Sequence, residues 1–391
     1  MDLTKARMRF RNLMKTAKRG FLGSWEPVEI SSLTSSDSSQ ELEFEAPVTM
    51  EKLESALRSY GVTATISDYI IGSAVTTYQV DFRPGSKLAT LTRNHSDIAR
   101  CLGVEAIRVN SSNGKVNIEI ENEKKLTVTL GDILRKVSTD NMVIPLVLGE
   151  KTNGNYKCVD LVDMPHLLVA GATGSGKSVF LNTLICTILA LRDPEKVRLL
   201  LIDPKQVEFQ VYRDTPHLLE PIATDSDDSI KLLDRAIEIM EERFEKLADV
   251  NARNLAEYEE ITNESLYSIV FVVDEYADLM LMGTTKERKE VEKKIARIAQ
   301  KARAVGIHLV LATQKPLVTV VTSALKANLN ARIAFSVASG TDSKVILDEV
   351  GAQVLTGKGD MFYRDPSGGA LTRIQAPWIP REDINHIAGV D

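Results

Sequence analysis

Five short, nearly continuous apolar runs constrain the fold of this 391-residue chain most strongly. They are His166–Ala170, Arg198–Ile202, Ile269–Val273, His308–Ala312 and Ile333–Val337. Strands that are buried on both faces have this composition, whereas strands with one wet face alternate apolar and polar residues. Amphipathic helical patterns separate the runs, and one of them places Ile230, Leu233 and Ile237 on a single face. The pattern predicts an α/β fold in which a mostly parallel sheet lies between helices.

A glycine-rich segment follows the first run and fits the pattern G-x-x-x-x-G-K-[ST]. Its residues are Gly171, Ala172, Thr173, Gly174, Ser175, Gly176, Lys177 and Ser178, and Val179 begins the helical pattern that follows. In such a loop, backbone N–H groups surround phosphates and the helix N-terminus favours negative charge. We expect Lys177 to reach the β- and γ-phosphates of ATP and Ser178 to bind Mg²⁺. The order of strand, loop and helix argues against a chance glycine-rich turn.

The run Ile269–Val273 ends in two carboxylates, Asp274 and Glu275, as a Walker B strand does. Asp274 is expected to hold Mg²⁺ through water, and Glu275 to polarise the attacking water. Both could instead be acidic groups that simply end a strand, and for Asp278 a charge at a helix N-terminus is an equally good explanation. A hydrolase needs Glu275, whereas a protein that only senses nucleotide does not.

Polar residues also end two other runs. Gln314 comes two residues after His308–Ala312, where an amide can sense the γ-phosphate, although a plain polar residue at a strand end is the alternative. Asp203-Pro204-Lys205 follows Arg198–Ile202, and a helix cap with a turn explains that segment equally well.

No segment above supplies an arginine to stabilise the transferred phosphoryl group, and in ATPases of this kind a neighbouring subunit usually provides it. Four arginines are candidates: Arg297, Arg303, Arg332 and Arg373. Residue chemistry alone does not choose among them.

The chain divides into three parts by composition. Residues 1–40 hold a basic segment and a Ser-rich stretch, 31–39, that is typical of a flexible linker. Over residues 1–21, either a basic amphipathic helix, able to contact anionic lipid peripherally, DNA or a partner, or a solvated terminal helix is expected. Residues 41–140 predict a smaller α+β subdomain, with a helix near residues 50–60 and a strand near 76–82, and residues 141–391 predict the sheet domain.

Composition excludes several classes of protein. The net charge of −6 argues against a protein that coats nucleic acid over its whole surface, but it leaves room for a local basic contact. Only 5% of residues are aromatic, so base-stacking platforms are not expected. No stretch approaches the roughly 20 apolar residues that span a bilayer, and no secretory signal is visible. Three scattered cysteines and five scattered histidines predict a cytoplasmic protein with reduced thiols and no zinc site.

Together these segments resemble the motor region of the FtsK/SpoIIIE family of DNA translocases. The matching stretches are Met164–Ser178, Ile202–Lys205, Val273–Leu279, Ala299–Leu309, Ala312–Pro316, Lys326–Asn328, Arg332–Phe335 and Gly357–Met361. The likeness extends back to Gly72–Gly85 and Asp97–Val109, which are similar to the family's α subdomain, and covers about residues 41–380. Ordered matches of this length are far more specific than a Walker motif alone.

The resemblance implies a RecA-like P-loop NTPase core, a hexameric ring of identical copies, double-stranded DNA in the central pore and ATP between subunits. By match to the family's motif, it assigns the arginine finger to Arg303. It also implies DNA contacts from Lys315, Lys326 and a loop near Lys344, which would bind the phosphate backbone without reading bases. The implied activity is ATP hydrolysis coupled to translocation of duplex DNA.

The sequence departs from the family pattern in three places. Lys315 stands where the family usually has arginine, which keeps the charge but loses the bidentate fork. Ser339-Gly340-Thr341 occupies a pore-loop position where family members often carry a lysine. Membrane-spanning segments and a C-terminal winged-helix module are not seen, so a free-standing motor of a mobile element or virus, or an excised motor, is expected.

Two other functions remain open at this point. An ATPase of type VII protein secretion uses related domains, but it usually strings several together and is anchored in a membrane. A ring that binds ATP without hydrolysing it is disfavoured by the intact Lys177, Asp274 and Glu275. Within DNA translocation, packaging or conjugative transfer competes with chromosome or plasmid segregation.

Overall fold

The computed structural model describes residues 25–36, 40–112, 115–281 and 284–390. The helix predicted over residues 1–21 lies outside this part of the chain. Among the described residues, none of the helices is long and apolar enough to span a bilayer.

The small domain is a four-stranded antiparallel sheet with two helices packed against one face. Its elements are α1 (Gln40–Ser59), β1 (Ala64–Ile71), β2 (Val75–Phe82), α2 (Leu88–Leu102), β3 (Ile107–Ser112) and β4 (Lys115–Glu121), in the strand order β1-β2-β4-β3. Leu53 and Leu57 from α1 and Leu91 from α2 form an apolar core with Tyr78 of β2. The helix and the strand predicted for this region are both confirmed, as α1 and β2.

The second domain is built on a nine-stranded sheet. Its strands are β5 (Pro145–Lys151), β6 (Tyr156–Asp160), β7 (His166–Ala170), β8 (Val197–Ile202), β9 (Ser268–Val273), β10 (Ile307–Thr313), β11 (Ala331–Phe335), β12 (Asp360–Arg364) and β13 (Thr372–Gln375), in the order β6-β5-β13-β12-β11-β7-β10-β9-β8. The five apolar runs correspond to β7 through β11, which are parallel to one another and adjacent in the sheet. The predicted parallel core is therefore confirmed.

Four strands that the sequence did not indicate extend this core by antiparallel pairing. They are β12, β13, β5 and β6. β6 is half-buried along its whole length and β13 along most of it, so neither has the continuous apolar pattern of the central strands. The sheet is consequently mixed, with its parallel strands grouped at one side.

Helices cover both faces of the sheet. They are α3 (Leu130–Leu134), α4 (Lys177–Leu191), α5 (Ser226–Asp249), α6 (Leu255–Thr262), α7 (Tyr276–Leu281), α8 (Thr285–Lys301), α9 (Ser323–Lys326), α10 (Gly340–Leu347) and α11 (Arg381–Ala388), with 3₁₀ turns at Ile30–Ser32, Gln210–Tyr212, Ala302–Val305 and Ala352–Val354. In β7, Leu167 and Val169 face the core that contains α4, whereas Leu168 and Ala170 face the core that contains α5 and α8. Burial on both faces explains why the central strands are apolar throughout.

A buried ion-pair cluster fastens the small domain to the sheet domain. Arg373 of β13 donates to Asp360 of β12 at 2.7 and 3.0 Å and to Glu119 of β4 at 3.1 Å. Burial lowers the pKa of Arg373, but the two carboxylates outweigh burial and raise the pKa above its ordinary value. Arg108 of β3 also lies over the ring of Phe362, with its guanidinium carbon 4.4 Å from the ring centroid. Glu119 of the small domain thus adds a second carboxylate to a buried arginine of the sheet domain.

Part of the segment that was expected to be a flexible linker packs against the sheet domain. We call residues 25–36 the strap. Leu33 is 4% exposed and belongs to the same core as α3 and α4. Thr34 donates from its N–H and its hydroxyl to Asp383 of α11, at 3.0 and 2.9 Å. The linker prediction is therefore wrong for residues 31–36, because their polar groups are satisfied by residues far away in the sequence.

The boundary between the domains lies earlier than the predicted residue 140. Strand β4 ends the small domain at Glu121, whereas Val128 and Leu130 belong to the core that contains β7 and α4. The sequence pattern did not reveal this because α3 is a single short helix with no periodic signal of its own.

The contact between the strap and α11 leads to a stability prediction. Replacing Asp383 by alanine removes both acceptors of Thr34, and we expect the free energy of unfolding to fall by about 1–3 kcal/mol. Urea denaturation of the variant and the wild type measures this loss.

Glu382→Ala is the matched control, because Glu382 is exposed and occupies the same first turn of α11. Any effect of removing a negative charge from the helix N-terminus is common to both variants. Equal losses of stability in the two variants would show that the strap contact contributes nothing.

Candidate nucleotide site

The glycine-rich loop joins β7 to α4 and forms an open cradle at the carboxyl end of the parallel strands. Gly174 and Gly176 have φ angles of 77° and 111°, which side chains other than glycine rarely adopt. A Cβ on Gly176 would also lie 2.5 Å from the backbone nitrogen of Gly359. No side chain caps the first turn of α4, so its N–H groups are left for an anion. The loop thus has the shape and the free donors that a phosphate chain requires.

The ammonium of Lys177 connects the two Walker motifs. It is 2% exposed and donates to the backbone oxygen and to Oδ1 of Asp274, at 2.6 and 2.9 Å. Asp274 is 1% exposed and directly follows β9, while Lys177 opens α4 after β7. Because β10 alone separates β7 from β9 in the sheet, the two side chains meet behind the loop. The structure brings this predicted pair together.

The residues present fit a magnesium ion bound with nucleotide. Ser178 is half-buried and lines a cavity beside the loop, and Asp274 accepts a hydrogen bond from the side chain of the preceding residue, Lys177. One hydroxyl and one carboxylate suit an ion that usually takes few protein ligands and completes its shell with water and phosphate oxygens. In this structure the ammonium of Lys177 is the positive group that pairs with the carboxylate of Asp274.

Glu275 and Gln314 meet at the end of β10. Glu275 is 2% exposed, and its carboxylate accepts hydrogen bonds from Thr313 and from the backbone N–H of Gln314. The side chain of Gln314 accepts a hydrogen bond from Thr173 of the glycine-rich loop, at 3.0 Å. Gln314 is therefore in contact with both motifs, as a residue that senses the γ-phosphate would need to be.

A cavity of about 710 Å³ extends from the loop between three further segments of the chain. It is lined by Ala172–Gly174 and Gly176–Val179, by Lys125–Val128, by Gly357–Gly359 and by Gln375–Trp378, together with Ala74, Glu208 and Gln314. Gly359 donates its N–H to the backbone oxygen of Ser175, and this hydrogen bond holds the segment Gly357–Gly359 against the glycine-rich loop. Trp378, 44% exposed, offers a flat apolar face on the wall of the cavity, the kind of surface on which a nucleotide base can stack.

Sequence reasoning missed the walls of this cavity. The segment Gly357–Gly359 was recognised only as a family match, although its glycines have φ angles of 76° and 96° and allow the close approach to the loop. Trp378 carries no local motif, and it reaches the site only because β13 pairs into the sheet. No pattern in the sequence brings these parts together.

Three of the four candidate arginines are already engaged. Arg297 donates to Glu241, and Arg332 is 8% exposed and donates to Asp348 and to backbone oxygens. Arg373 is held in the ion-pair cluster between the domains.

Arg303 differs from these three. It is exposed in the turn before β10, and its side chain has no hydrogen bond or ion pair to any residue that the structure describes. It lies at the amino end of β10, the edge of the sheet opposite to Gln314. The seven residues of β10 span about 20 Å, which is further than an arginine side chain can reach.

Two histidines lie close to Arg303 at the same edge. His166 is 2% exposed and accepts a hydrogen bond from the N–H of Leu309 at 3.0 Å, and His308 is 1% exposed. Burial is the main cause that lowers the pKa of His166 to about 3 and that of His308 to about 4. Both are neutral at pH 7, so neither adds a second positive charge beside Arg303.

The three predicted DNA-binding lysines differ in their surroundings. Lys315 is exposed at the start of the loop after β10, and Lys344 is exposed on α10, which follows β11. Both therefore follow the carboxyl ends of β10 and β11, the two strands that flank β7 in the sheet. Lys326 has a side chain only 16% exposed and is paired with Asp348 at 2.7 Å, so its charge is already neutralised.

The cavity wall leads to a spectroscopic prediction. The chain has two tryptophans, and Trp25 lies at the far end of α4, where its indole donates to Leu189, about 20 Å along the helix from the loop. We expect ADP to change the tryptophan emission of the wild type and of Trp25→Phe, but not of Trp378→Phe. Titration followed by intrinsic fluorescence measures this, and a signal that persists in Trp378→Phe and vanishes in Trp25→Phe would contradict the assignment of the wall.

Comparisons with known proteins show the family to which the chain is similar. The FtsK/SpoIIIE family matches residues 134–318, and the FtsK alpha domain matches residues 29–122. The DNA translocase FtsK of Haemophilus influenzae is 39% identical over 372 residues, which cover 87% of this chain and 70% of that protein. The DNA translocase FtsK of Oceanobacillus iheyensis is 39% identical over 365 residues, or 90% of this chain but only 46% of the relative. The chain thus spans less than half of the length of some of the relatives that it matches.

Solved structures share the fold at lower sequence identity. The conjugation coupling protein TcpA of pCW3, solved as a monomer with ATPγS, has a TM-score of 0.60 and 22% identity, covering 88% of this chain and 99% of that one. The cytoplasmic domain of the type VII secretion ATPase EccC from Thermomonospora curvata has a TM-score of 0.54 and 24% identity, covering 65% of this chain and 32% of that one. With its Walker motifs assembled on a RecA-like sheet, the chain belongs to the FtsK/SpoIIIE family of P-loop ATPases.

Proposed function

We propose that this protein hydrolyses ATP to move double-stranded DNA through a hexameric ring of its own copies. The relatives named DNA translocase FtsK, similar over most of this chain, support the DNA substrate. The three cysteines form no disulfide, which agrees with the proposed cytoplasmic location of such a motor.

The observation that carries the proposal is the separation of Arg303 from the nucleotide cavity. Lys177, Asp274, Glu275 and Gln314 gather at the carboxyl edge of the sheet, whereas Arg303 is exposed and unpaired with any described residue at the opposite edge. Phosphoryl transfer needs positive charge around the γ-phosphate. In a ring of copies stacked head to tail, Arg303 of one copy can enter the cavity of the next.

Each side chain then has a defined role. The N–H groups of the loop and the ammonium of Lys177 bind the phosphates, and Ser178 and Asp274 hold the Mg²⁺ ion. That ion, when bound, neutralises charge on the β- and γ-phosphates. Glu275 orients and polarises the attacking water. Gln314 contacts the γ-phosphate, so the end of β10 responds to its presence.

Contacts with DNA are proposed at Lys315 and Lys344. Both side chains are exposed, and both follow the carboxyl ends of the two strands that flank β7. Single positive charges of this kind bind phosphate without regard to base identity, which suits a motor that must pass any sequence. Lys326 would have to leave Asp348 before it could join them.

A DNA-packaging or conjugative-transfer system could use the same motor, and a type VII-like secretion ATPase is the alternative outside DNA transport. The likeness to EccC is below 25% identity and shows the shared fold alone. The effect of duplex DNA on the rate of ATP hydrolysis distinguishes these functions, because the ATPase of a protein exporter is not expected to be stimulated by DNA.

The first functional test compares ATP turnover with and without long linear duplex DNA. We expect strong stimulation by duplex and little by single strands. Glu275→Gln should lower kcat by a factor on the order of 10² to 10⁴ while ATP still binds, because only the group that polarises water is lost. Steady-state turnover and binding of a fluorescent ATP analogue provide the two readouts.

Asp278→Asn is the matched control, since Asp278 is the nearby carboxylate on α7 and is not assigned a role in turnover. Its kcat should stay close to that of the wild type. A wild-type rate that is indifferent to duplex would favour the secretion ATPase, and a fully active Glu275→Gln would remove Glu275 from the mechanism.

The second test concerns the arginine. Arg303→Ala should lose turnover by a factor on the order of 10³, as expected for an arginine finger, while it keeps ATP binding. In mixtures with the wild type, the rate should fall more steeply than in proportion to the mutant fraction, because each mutant copy inactivates its neighbour's site.

Arg297→Ala serves as the control, because Arg297 lies on the preceding helix and is engaged by Glu241. We expect it to retain activity. If Arg303→Ala hydrolyses ATP at the wild-type rate, or if the mixtures fall only in proportion, the proposal that a neighbour completes the site is wrong.

A further inference from the structure

The carboxylate of Glu275 accepts hydrogen bonds from three groups that surround it. Oε1 accepts from the hydroxyl of Thr313 at 2.7 Å, and Oε1 and Oε2 accept from the N–H of Gln314 at 3.1 and 2.9 Å. The N–H of Ala277 approaches Oε1 at 3.3 Å, and Lys205 lies 3.8 Å from Oε2. These donors compete with water for the lone pairs of the carboxylate.

The hydroxyl of Thr313 has a second partner. It accepts a hydrogen bond from the N–H of Lys315 at 3.2 Å and donates to Glu275 at 2.7 Å, which is a shorter contact than the 3.3 Å to the backbone oxygen of Lys315. Thr313 itself is 0% exposed and is the last residue of β10. One buried oxygen atom therefore connects the carboxylate that activates water to the backbone of the first residue of the loop.

That loop is the segment that meets DNA in the proposed function. Lys315 is exposed, and Leu317 and Val318 beyond it are 48% and 67% exposed, so the loop extends from the surface. A phosphate that draws Lys315 outward moves its N–H away from Thr313. The hydroxyl of Thr313 then loses its contacts with Lys315. Without the N–H that donates to it, the hydroxyl is a weaker donor to Glu275.

We infer that Thr313 is a positioning residue that keeps Glu275 turned away from the water-activating position until the loop after β10 binds DNA. This inference rests on the proposed function and adds to it the reason why turnover would depend on DNA. The link is direct, since Glu275, Thr313 and Lys315 are joined by consecutive hydrogen bonds.

Thr313→Val tests the inference, because valine keeps the shape of threonine and lacks the hydroxyl. We expect the basal kcat without DNA to rise about tenfold, as for the loss of a hydrogen bond to a charged group. The kcat at saturating duplex should stay near that of the wild type, so the ratio of stimulated to basal rate falls. The KM for ATP should not change, because Thr313 does not line the cavity.

Two variants separate this role from a structural one. Thr313→Ser retains the hydroxyl and should restore the ratio of the wild type. Thr187→Val is the matched control, since Thr187 is also 0% exposed and its hydroxyl bonds only within α4, to the backbone oxygen of Thr183. Should Thr313→Val not fold, Thr313→Ala gives the same comparison, with folding monitored by thermal melting.

The outcomes distinguish the inference from the function on which it rests. If the wild type is stimulated by duplex and Thr313→Val keeps the same ratio, the inference is wrong and the proposed function stands. If Thr313→Val loses basal and stimulated rates equally, Thr313 aligns Glu275 for catalysis and does not restrain it. If the wild type shows no stimulation at all, the proposed function and the inference fall together.

Discussion

The rest of the site depends on the buried contact between Lys177 and Asp274. An ammonium that is withdrawn from water is strongly unfavourable unless an opposite charge meets it. Here Asp274 provides that charge at 2.9 Å, and the backbone oxygen of the same residue adds a second acceptor. The contact requires β7, β10 and β9 to be adjacent, so the order of three strands determines where the phosphate-binding lysine stands. A phosphate chain that enters the loop thus meets a lysine that is already oriented.

The direction of the parallel strands divides the remaining functional groups between two edges. Residues that follow the strands, such as Glu275 and Gln314, collect at the carboxyl edge, where open α/β sheets bind their ligands. Arg303 precedes β10 and is therefore carried to the opposite edge. A single copy cannot bring both edges to one nucleotide, whereas the proposed ring of copies would do so at every contact. In this account, the need for an assembly follows from the polarity of the sheet.

The parts of the fold that the sequence predicted are those whose signal is local. The strands β7 to β11 were found within three residues of their ends because burial on both faces makes them apolar, and the glycine-rich loop follows from its own spacing. The strap, the strands β12 and β13 and the wall at Trp378 were missed, because each is stabilised by partners far away in sequence. Thr34, for example, is held by Asp383, and no pattern around residue 34 indicates that contact.

The central claim is that one copy completes the nucleotide site of the next around a duplex. Electron cryo-microscopy of the protein with a non-hydrolysable ATP analogue and a linear duplex tests it most directly. The account predicts a closed ring in which Arg303 of each copy faces the γ-phosphate held by Lys177 of its neighbour, with Lys315 against the DNA backbone. Monomers, or a ring in which Arg303 points into solvent away from every nucleotide, would contradict it.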